Sequence, residues 1–311
     1  CALAASGEDV SGLVSLDWLM ACQHRTQHPM TGTAGGGWGW TDLSGAVPDV
    51  DDTSGALLAL AALRKNAPSD RSRKIDAAAV AGLRWLLALQ NADGGWPTFC
   101  RGWGTMPFDR SGEDLTAHAV RALHAWTHDL VQHGLGNRAR RAIGRGLQYL
   151  ERRQRQDGSW GPRWFGNQHS PGEENPVYGT ARVLLAYRDL GQIRSAPAQR
   201  GMEWLAAQAG PDGGWGSPRD RSGCAIGGAS VEETAVAVEA LLAAPDGVPI
   251  PALVRGIEWL LRAVEEGKHL ETAAIGLYFA RLWYYEKLYP HVFTVSVLGQ
   301  AARRWPPCPK P

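Results

Sequence analysis

Two kinds of helix alternate along the chain, and the pattern of their apolar positions separates them. One kind is apolar or small on most faces, as in Thr53-Ser-Gly-Ala-Leu-Leu-Ala-Leu60 and 234–241. Such helices pack against neighbours all round, so we place them inside. The other kind carries charges along one face, as in the arginine-rich stretch from Arg138 to Arg155, which we place outside in contact with water. The alternation predicts an all-α fold.

A repeated turn precedes the inner helices. Three segments share a template in which a helix ends in glutamine and is followed by a tight glycine turn and a tryptophan: 82–96, 146–160 and 201–215. Degenerate copies lie at 16–38 and at Gly256-Ile-Glu-Trp259. Each inner helix begins at a threonine: Thr53, Thr116, Thr180, Thr234 and Thr294. Repeats of this length predict an α/α toroid, a barrel of about six inner and outer helix pairs.

We expect one barrel domain over residues 1–305, followed by a tail at 306–311. Cys1-Ala-Leu-Ala-Ala resembles the end of a further inner helix, with Leu3 at the position of Leu60, but the threonine-bearing head is missing. We therefore expect the chain to be a fragment whose first inner helix is truncated and whose parent protein continues upstream. Apolar surface left bare in this way drives association, and a homodimer is one form it would take.

Composition narrows the function. The 32 basic and 31 acidic residues nearly balance, so no nucleic-acid partner is implied. Five cysteines without a CxxC pair indicate neither a disulfide framework nor a thiolate zinc site, and a reducing, cytoplasmic compartment is expected. No apolar run is long enough to span a bilayer. We expect neither a cofactor nor a metal.

Candidate chemistry is concentrated at Pro48-Asp-Val-Asp-Asp-Thr53, which places three carboxylates at the head of an inner helix. One aspartate would be explained as a helix cap. Three side by side repel one another, and the repulsion, together with burial, raises a carboxyl pKa until one group stays protonated. A neutral carboxylic acid is a proton donor, whereas the alternative is a solvated acidic turn.

The heads of the inner helices would meet at one mouth of the toroid. Asp114 and His118 are four residues apart on one helix face there, so they can form an Asp–His pair. The carboxylate would fix the tautomer or charge of the imidazole. A charged His118 bonded to the acid cluster would hold two carboxylates ionised and leave the third as the acid. His124 and His128 are interpreted as structural.

Aromatic residues follow the turns that face the same end. Trp96, Trp160 and Trp215 are explained as structural residues of the turns. The others are expected to line a cavity, where π faces stabilise a carbocation without offering it a nucleophile. They are Trp38, Trp40, Phe99, Trp103, Trp164, Phe165, Tyr178, Tyr278 and Phe279.

Together, the Gln…Gly-x-Trp repeats, the motif at 48–53 and Glu-Asp-Leu-Thr-Ala-His at 113–118 resemble squalene–hopene cyclases and the wider class II terpene cyclases. The resemblance covers essentially the whole chain and corresponds to the C-terminal, acid-bearing part of those enzymes. It implies an isomerase of triterpenoid or hopanoid biosynthesis that protonates a terminal alkene of squalene or a related polyprene. Because that substrate is insoluble in water, peripheral, monotopic membrane contact is expected. The family also has an upstream barrel domain, which we expect to be missing from this chain.

The resemblance also implies roles for individual residues. Asp51 would donate the proton, flanked by Asp49 and Asp52, while His118 would bond to the acid and Asp114 would support the histidine. The substrate-binding aromatic positions that it implies are Trp40, Phe99, Trp164, Tyr178 and Tyr289. Tyr278 is a further candidate, because it is expected on the same cavity wall.

Two departures from the hopene-forming pattern put the product in question. Residues 166–176 form an insertion, and Leu282 and Glu286 stand where rings are expected.

Two alternatives remain open at this stage. A protein prenyltransferase β-subunit shares the toroid, but it needs a zinc site of Asp, Cys and His, for which no suitable cluster appears. Metal analysis would separate the two. A non-catalytic toroid that binds lipid is the second alternative, and incubation with squalene followed by product analysis distinguishes it.

Overall fold

The computed structural model describes residues 1–10, 12–65, 67–103, 107–163, 165–216, 228–244, 251–273, 275–277 and 282–306. Helices dominate these residues: α1 (Ala2–Ser6), α2 (Ser15–Ala21), α3 (Val50–Arg64), α4 (Ser69–Leu89), α5 (Glu113–Ala125), α6 (Thr127–Gln132), α7 (Gly136–Arg153), α8 (Pro176–Asp189), α9 (Ala196–Ala207), α10 (Val231–Leu241), α11 (Pro251–Glu265) and α12 (Tyr289–Arg304). Two short antiparallel pairs join β1 (Trp96–Pro97) to β2 (Ser111–Gly112) and β3 (Ile275–Leu277) to β4 (Leu282–Tyr284), with Trp96 opposite Gly112 and Ile275 opposite Tyr284.

The chain divides into two compact units. Residues 9–153 form the acid-bearing unit, and residues 1–8 with 154–311 form the second unit. In the acid-bearing unit α3 and α5 pack against each other, with α4 against α3 and α7 against α5. In the second unit α10 packs between α8 and α12, with α9 and α11 against this layer and α1 against α12. The small-residue helices therefore lie inside their units, as the sequence predicts.

The threonines at the heads of the inner helices anchor the turns before them. In four repeats the threonine hydroxyl accepts a hydrogen bond from the backbone N–H of the turn tryptophan, at 2.9 to 3.0 Å, and each of these threonines is fully buried. The pairs are Thr53 with Trp38, Thr116 with Trp96, Thr180 with Trp160 and Thr234 with Trp215. The fifth repeat lacks the tryptophan, and the buried hydroxyl of Thr294 has no hydrogen-bond partner among the described residues.

The indole of each turn tryptophan lies on a glycine of the next outer helix. A Cβ atom built on that glycine would come within 2.6 to 3.1 Å of the tryptophan Cζ3 atom, so no larger residue fits without displacement. The pairs are Trp38 with Gly82, Trp96 with Gly146, Trp160 with Gly201 and Trp215 with Gly256. Trp38 is therefore a structural turn residue, and the prediction that it lines a cavity is wrong.

The glutamines of the repeats join consecutive outer helices. Nε2 of each donates both to a carbonyl in its own turn and to a carbonyl of the next outer helix, at 2.8 to 2.9 Å: Gln23 to Gly36 and Ala78, Gln90 to Gly94 and Ala142, and Gln154 to Gly158 and Pro197. Gln208 departs from this template, because its Nε2 instead lies 3.5 Å from the Trp204 carbonyl of its own helix. It is one residue nearer to its helix glycine than Gln90 is, and one residue turns a helical side chain by about 100°.

Candidate active site

The head of α3 carries the three aspartates, and Asp49 is its N-terminal cap. Asp49 has an extended backbone and its Oδ1 accepts the backbone N–H of Asp52 at 2.7 Å. Asp51 and Asp52 follow in the first turn, where the helix dipole favours negative charge. Capping explains the position of Asp49. It does not explain why Asp51 and Asp52 also stand at the head of the helix.

His118 of α5 reaches across to α3 and contacts the middle aspartate. Its Nδ1 lies 2.6 Å from Oδ1 of Asp51, which is close enough for a strong hydrogen bond. The side chain of Asp51 is 40% exposed and that of His118 is 24% exposed. Asp51 is therefore held by its partner while part of its surface stays accessible.

Asp49 and Asp52 have the perturbed titration that the sequence predicts for the cluster. Burial raises the pKa of Asp49 well above the usual aspartate value, and the charge of Asp52 raises it further. Burial also raises the pKa of Asp52, against the opposing effects of its bond to Asp49 and the nearby His118. Asp49 is only 4% exposed, so burial disfavours the charged form of the carboxyl that caps the helix.

Asp114 lies one turn before His118 on α5 and is buried. Glu113, beside it, accepts a hydrogen bond from Nε of Arg153 at 2.7 Å. The acid-bearing unit thus brings the five predicted acid–base residues to the N-terminal ends of two adjacent helices, α3 and α5.

An aromatic cluster lies on the loops of the same unit. Phe99 is at its centre, with its ring centroid 6.1 Å from Trp40, 5.4 Å from Trp103 and 5.1 Å from Phe108. Trp40 is 59% exposed, so only part of its ring is covered within this cluster. Sequence reasoning missed Phe108, although its position just before the Glu-Asp motif, on the loop that follows Phe99, was a usable signal.

A second aromatic group lies in the second unit. The rings of Phe165 and Tyr178 are 4.3 Å apart and both are buried, and Phe165 is 6.5 Å from Tyr289. Phe293, one turn after Tyr289 on α12, lies 5.1 Å from its ring. The Arg182 guanidinium stacks over Tyr178 at 4.7 Å and over Phe293 at 5.2 Å. Neither Phe293 nor Arg182 was anticipated from the sequence.

Two of the predicted substrate-binding residues, Trp164 and Tyr278, lie outside the described residues. Among the described residues no group of three or more His, Cys, Asp or Glu side chains is arranged to hold a metal ion. Within the same part of the chain, no helix is both long enough and apolar enough to cross a bilayer.

Residues 8–303 match the family described as the squalene-hopene cyclase C-terminal domain. The chain belongs to this family. Among curated relatives, it is 29% identical over 279 residues to a probable squalene–hopene cyclase of Sinorhizobium fredii, covering 82% of this chain and 40% of the relative. It is 34% identical over 219 residues to a drimenyl diphosphate synthase of Streptomyces showdoensis, covering 70% of this chain and 35% of that protein.

Solved structures agree in fold. An ent-copalyl diphosphate synthase from Streptomyces platensis superposes with a TM-score of 0.66 at 22% identity, covering 97% of this chain and 48% of that one. A single-substitution variant of the type II terpene cyclase MstE from Scytonema, in complex with geranylgeranyl dihydroxybenzoate, superposes with a TM-score of 0.63 at 17% identity, with 97% of this chain and 87% of that chain covered. The cyclase domain therefore has the α/α-toroid fold class that the alternating helices predict. It spans about two fifths of the length of the first curated relatives that it matches.

Proposed function

We propose that this cyclase domain starts a carbocationic cyclisation by protonating a terminal alkene, with Asp51 as the proton donor. The observation that carries the proposal is the 2.6 Å contact between His118 and a partly exposed Asp51, beside the buried Asp49 and the half-buried Asp52. A structural cap needs only Asp49. A general acid has to reach the reacting atom and hold a suitable pKa, and an accessible carboxyl bonded to a histidine beside two further acids fits that requirement.

In the proposed reaction Asp51 transfers its proton to the terminal carbon of the alkene. A C–H bond forms from the π electrons, a carbocation is left at the neighbouring carbon, and Asp51 becomes a carboxylate. His118, bonded to Asp51, stabilises that carboxylate. Burial raises the pKa of Asp49, which disfavours a further negative charge beside the donor. Successive alkenes then attack the cation, and loss of a proton from the last cation makes the product an isomer of the substrate.

The remaining predicted roles are part of the same proposal. Asp52 and Asp114 would tune and support the acid and the histidine. The aromatic residues Trp40, Phe99, Trp164, Tyr178, Tyr278 and Tyr289 would bind the chain and stabilise its cations through their π faces.

Squalene or a related polyprene is the proposed substrate class. Support comes from the names of the relatives, which include squalene–hopene cyclases and a drimenyl diphosphate synthase, and from the geranylgeranyl dihydroxybenzoate bound to MstE. All of these point to a polyprenyl skeleton with a terminal alkene. The family assignment favours this function over the prenyltransferase and lipid-binding alternatives.

The test compares three substitutions. Asp51→Asn should abolish product formation, because the amide keeps the size of the side chain but cannot protonate an alkene. His118→Phe should lower turnover by about 100-fold or more, the lower range of general acid–base contributions. His124→Phe is the matched control, since His124 lies on the same helix and is exposed; it should leave turnover close to wild type.

Product formation from squalene and from farnesyl and geranylgeranyl diphosphates is measured beside a melting curve for each variant. We expect Asp51→Asn to melt at or above the wild-type temperature, because the charge of Asp51 raises the pKa of both Asp49 and Asp52. Near-normal turnover by Asp51→Asn would refute the acid-initiated mechanism and favour the lipid-binding alternative.

Peripheral membrane contact in the cytoplasm is a further part of the proposal. A water-insoluble polyprene has to be taken from a bilayer, and an interfacial surface suffices for that. The domain should float with liposomes on a density gradient. A protein that remains wholly in the soluble fraction at the bottom of the gradient would contradict it.

A further inference from the structure

We propose that a cavity between α4 and the loop 23–37, within the acid-bearing unit, binds a phosphate-bearing anion. The cavity has a volume of about 430 Å³, which lies in the range of small-molecule sites. Its described lining residues belong to α2, the loop 23–37 and α4, and they include neither the acids nor His118 of the candidate active site. The proposal therefore concerns a second site and does not depend on the proposed function.

The loop 23–37 forms one wall of the cavity and doubles back on itself. The His24 N–H donates to the Gly37 carbonyl at 3.0 Å, which joins the two arms of the loop. A Cβ atom on Gly35, which lines the cavity, would lie 2.6 Å from the carbonyl carbon and oxygen of Arg25, so the arms touch at this point. Contacts within the loop thus give this wall a defined shape.

One face of α4 forms the opposite wall. Its lining residues are three or four positions apart, as residues on one helical face are: Lys74, Ala77, Ala78 and Ala81. The short alanine side chains leave room for a ligand between the helix and the loop. Nε2 of Gln23 joins the two walls by donating to the Ala78 carbonyl at 2.9 Å.

Positive charge lines the cavity without an acid beside it. Arg25 and Lys74 both line it and are exposed, and its described lining residues include no aspartate or glutamate. Nη2 of Arg25 donates to the carbonyl of Met20 at 3.3 Å, which places the guanidinium beside another lining residue. A guanidinium has five N–H donors, so this one long bond leaves most of them available to a ligand.

His24 adds a hydrogen-bonding group to the same cavity. It is half-buried, and burial lowers the pKa of its imidazole; the charge of His28, whose ring centroid is 5.8 Å away, lowers it further. The ring is therefore mostly uncharged at neutral pH, where its N–H can still donate to an anion.

A phosphate group suits this set of donors. A guanidinium forms paired hydrogen bonds with phosphate oxygens, and a lysine ammonium binds phosphate as a point charge. A terminal phosphate presents three oxygens, enough to meet Arg25, Lys74 and His24 together, whereas a carboxylate presents two. A concave surface lined by one sign of charge also concentrates counter-ions.

A neighbouring cavity shows that size alone does not select the site. It has a volume of about 410 Å³, shares Gly35 with the first and is lined by Arg84 and Arg101. Nη2 of Arg101 donates to the carbonyls of Leu89 and Gln90 at 3.1 and 3.0 Å, so its charge already serves the C-terminal end of α4. We therefore assign anion binding to the first cavity.

The first experiment titrates pyrophosphate into the domain by isothermal titration calorimetry at an ionic strength of about 0.15 M. Wild type should show saturable binding. Lys74→Gln and Arg25→Gln should each weaken it by about tenfold or more, the loss expected for a hydrogen bond to a charged group. Arg73→Gln is the matched control, because Arg73 is also exposed on α4 but does not line the cavity. It removes the same charge and should change the affinity by less than about twofold.

The second experiment separates a free phosphate compound from a lipid headgroup. Flotation is compared for phosphatidylcholine vesicles with and without phosphatidic acid. Flotation that needs phosphatidic acid, and that Lys74→Gln loses while Arg73→Gln keeps it, would support the proposal and identify a headgroup. Saturable pyrophosphate binding without such flotation would support it and identify a soluble ligand. In that case pyrophosphate should also slow amide hydrogen exchange within the loop 23–37.

Two results would overturn the proposal. One is a wild-type domain that neither binds pyrophosphate saturably nor floats in dependence on phosphatidic acid. The other is equal weakening by Lys74→Gln and Arg73→Gln, which would show that the overall charge of α4 attracts the anion and the cavity does not. Melting curves accompany each variant, and wild-type values are expected because the substituted side chains are exposed.

Discussion

Replacing Thr234 with valine tests how the repeats are held together. Thr234 is fully buried; its hydroxyl accepts the Trp215 N–H at 2.9 Å and donates to the Trp215 carbonyl at 3.2 Å. Valine has nearly the same shape and no hydroxyl, so the substitution removes both bonds without opening a cavity. The Trp215 carbonyl keeps a bond from the Ser230 N–H, whereas the Trp215 N–H loses its partner.

The magnitude follows from that difference. A buried N–H left without a partner costs about 1–3 kcal/mol, and the carbonyl adds less because it stays bonded. We therefore expect Thr234→Val to lower the free energy of unfolding by about 2 kcal/mol. Thr234→Ser keeps the hydroxyl and should recover most of the loss.

Thr294 provides the matched control in the same unit. It stands at the same place on an inner helix and is buried, but its hydroxyl has no partner within the described part of the chain. Thr294→Val should leave stability unchanged or raise it by about 1 kcal/mol, because an unsatisfied buried hydroxyl is replaced by a methyl group.

Urea denaturation followed by far-ultraviolet circular dichroism reads out all three variants against wild type. Both positions lie in one compact unit, so one transition reports on both. Equal losses for Thr234→Val and Thr294→Val, or no loss for Thr234→Val, would show that the hydroxyl bond does not stabilise the turn.

Two further predictions concern the acid cluster and the packing of the turns. Asp49→Asn keeps the helix cap but removes a carboxyl whose pKa is raised in the folded protein, and such a group lowers stability as pH rises above about 3.9. The variant should therefore melt at a higher temperature than wild type at pH 7 and at the same temperature near pH 3. A gain in melting temperature of equal size at both pH values would contradict the buried-acid reasoning. Gly146→Ala should lower the free energy of unfolding by about 1–3 kcal/mol, because its Cβ would lie 2.6 Å from Val120 and 3.1 Å from Trp96. In the same helix, Gly144→Ala meets no atom within 4 Å and should raise it by up to about 1 kcal/mol; equal effects in thermal or urea melts would refute the packing argument.

The helices and their alternation could be predicted from the sequence because they depend on local patterns. Small residues after each threonine predict the inner helices, and arginines along one face predict an outer helix. The function of the threonines could not be predicted, since the partner of Thr234 lies 19 residues earlier and only the folded chain brings the two together. Trp38 was misplaced for the same reason, because its contact with Gly82 is not local.

At the candidate site, the residues of the acid cluster could be predicted from the sequence, but the separate role of each aspartate could not. Three aspartates within four residues indicate a shared proton, but backbone geometry decides which one caps the helix and which one contacts a histidine 67 residues later. The sequence therefore predicted the pairing of Asp51 with His118 only through a family resemblance.

Each tryptophan–glycine contact joins the turn of one repeat to the outer helix of the next. Every such joint has the same two halves, a ring on one side and a bare backbone on the other. The tryptophan–glycine contacts are therefore interchangeable. Deleting or duplicating the segment between two of the helix glycines leaves every tryptophan with a glycine to pack on. A deletion with other boundaries leaves one tryptophan ring without its glycine. A chain built this way can change its number of repeats during evolution without inventing a new contact, which offers a route between cyclase barrels of different size.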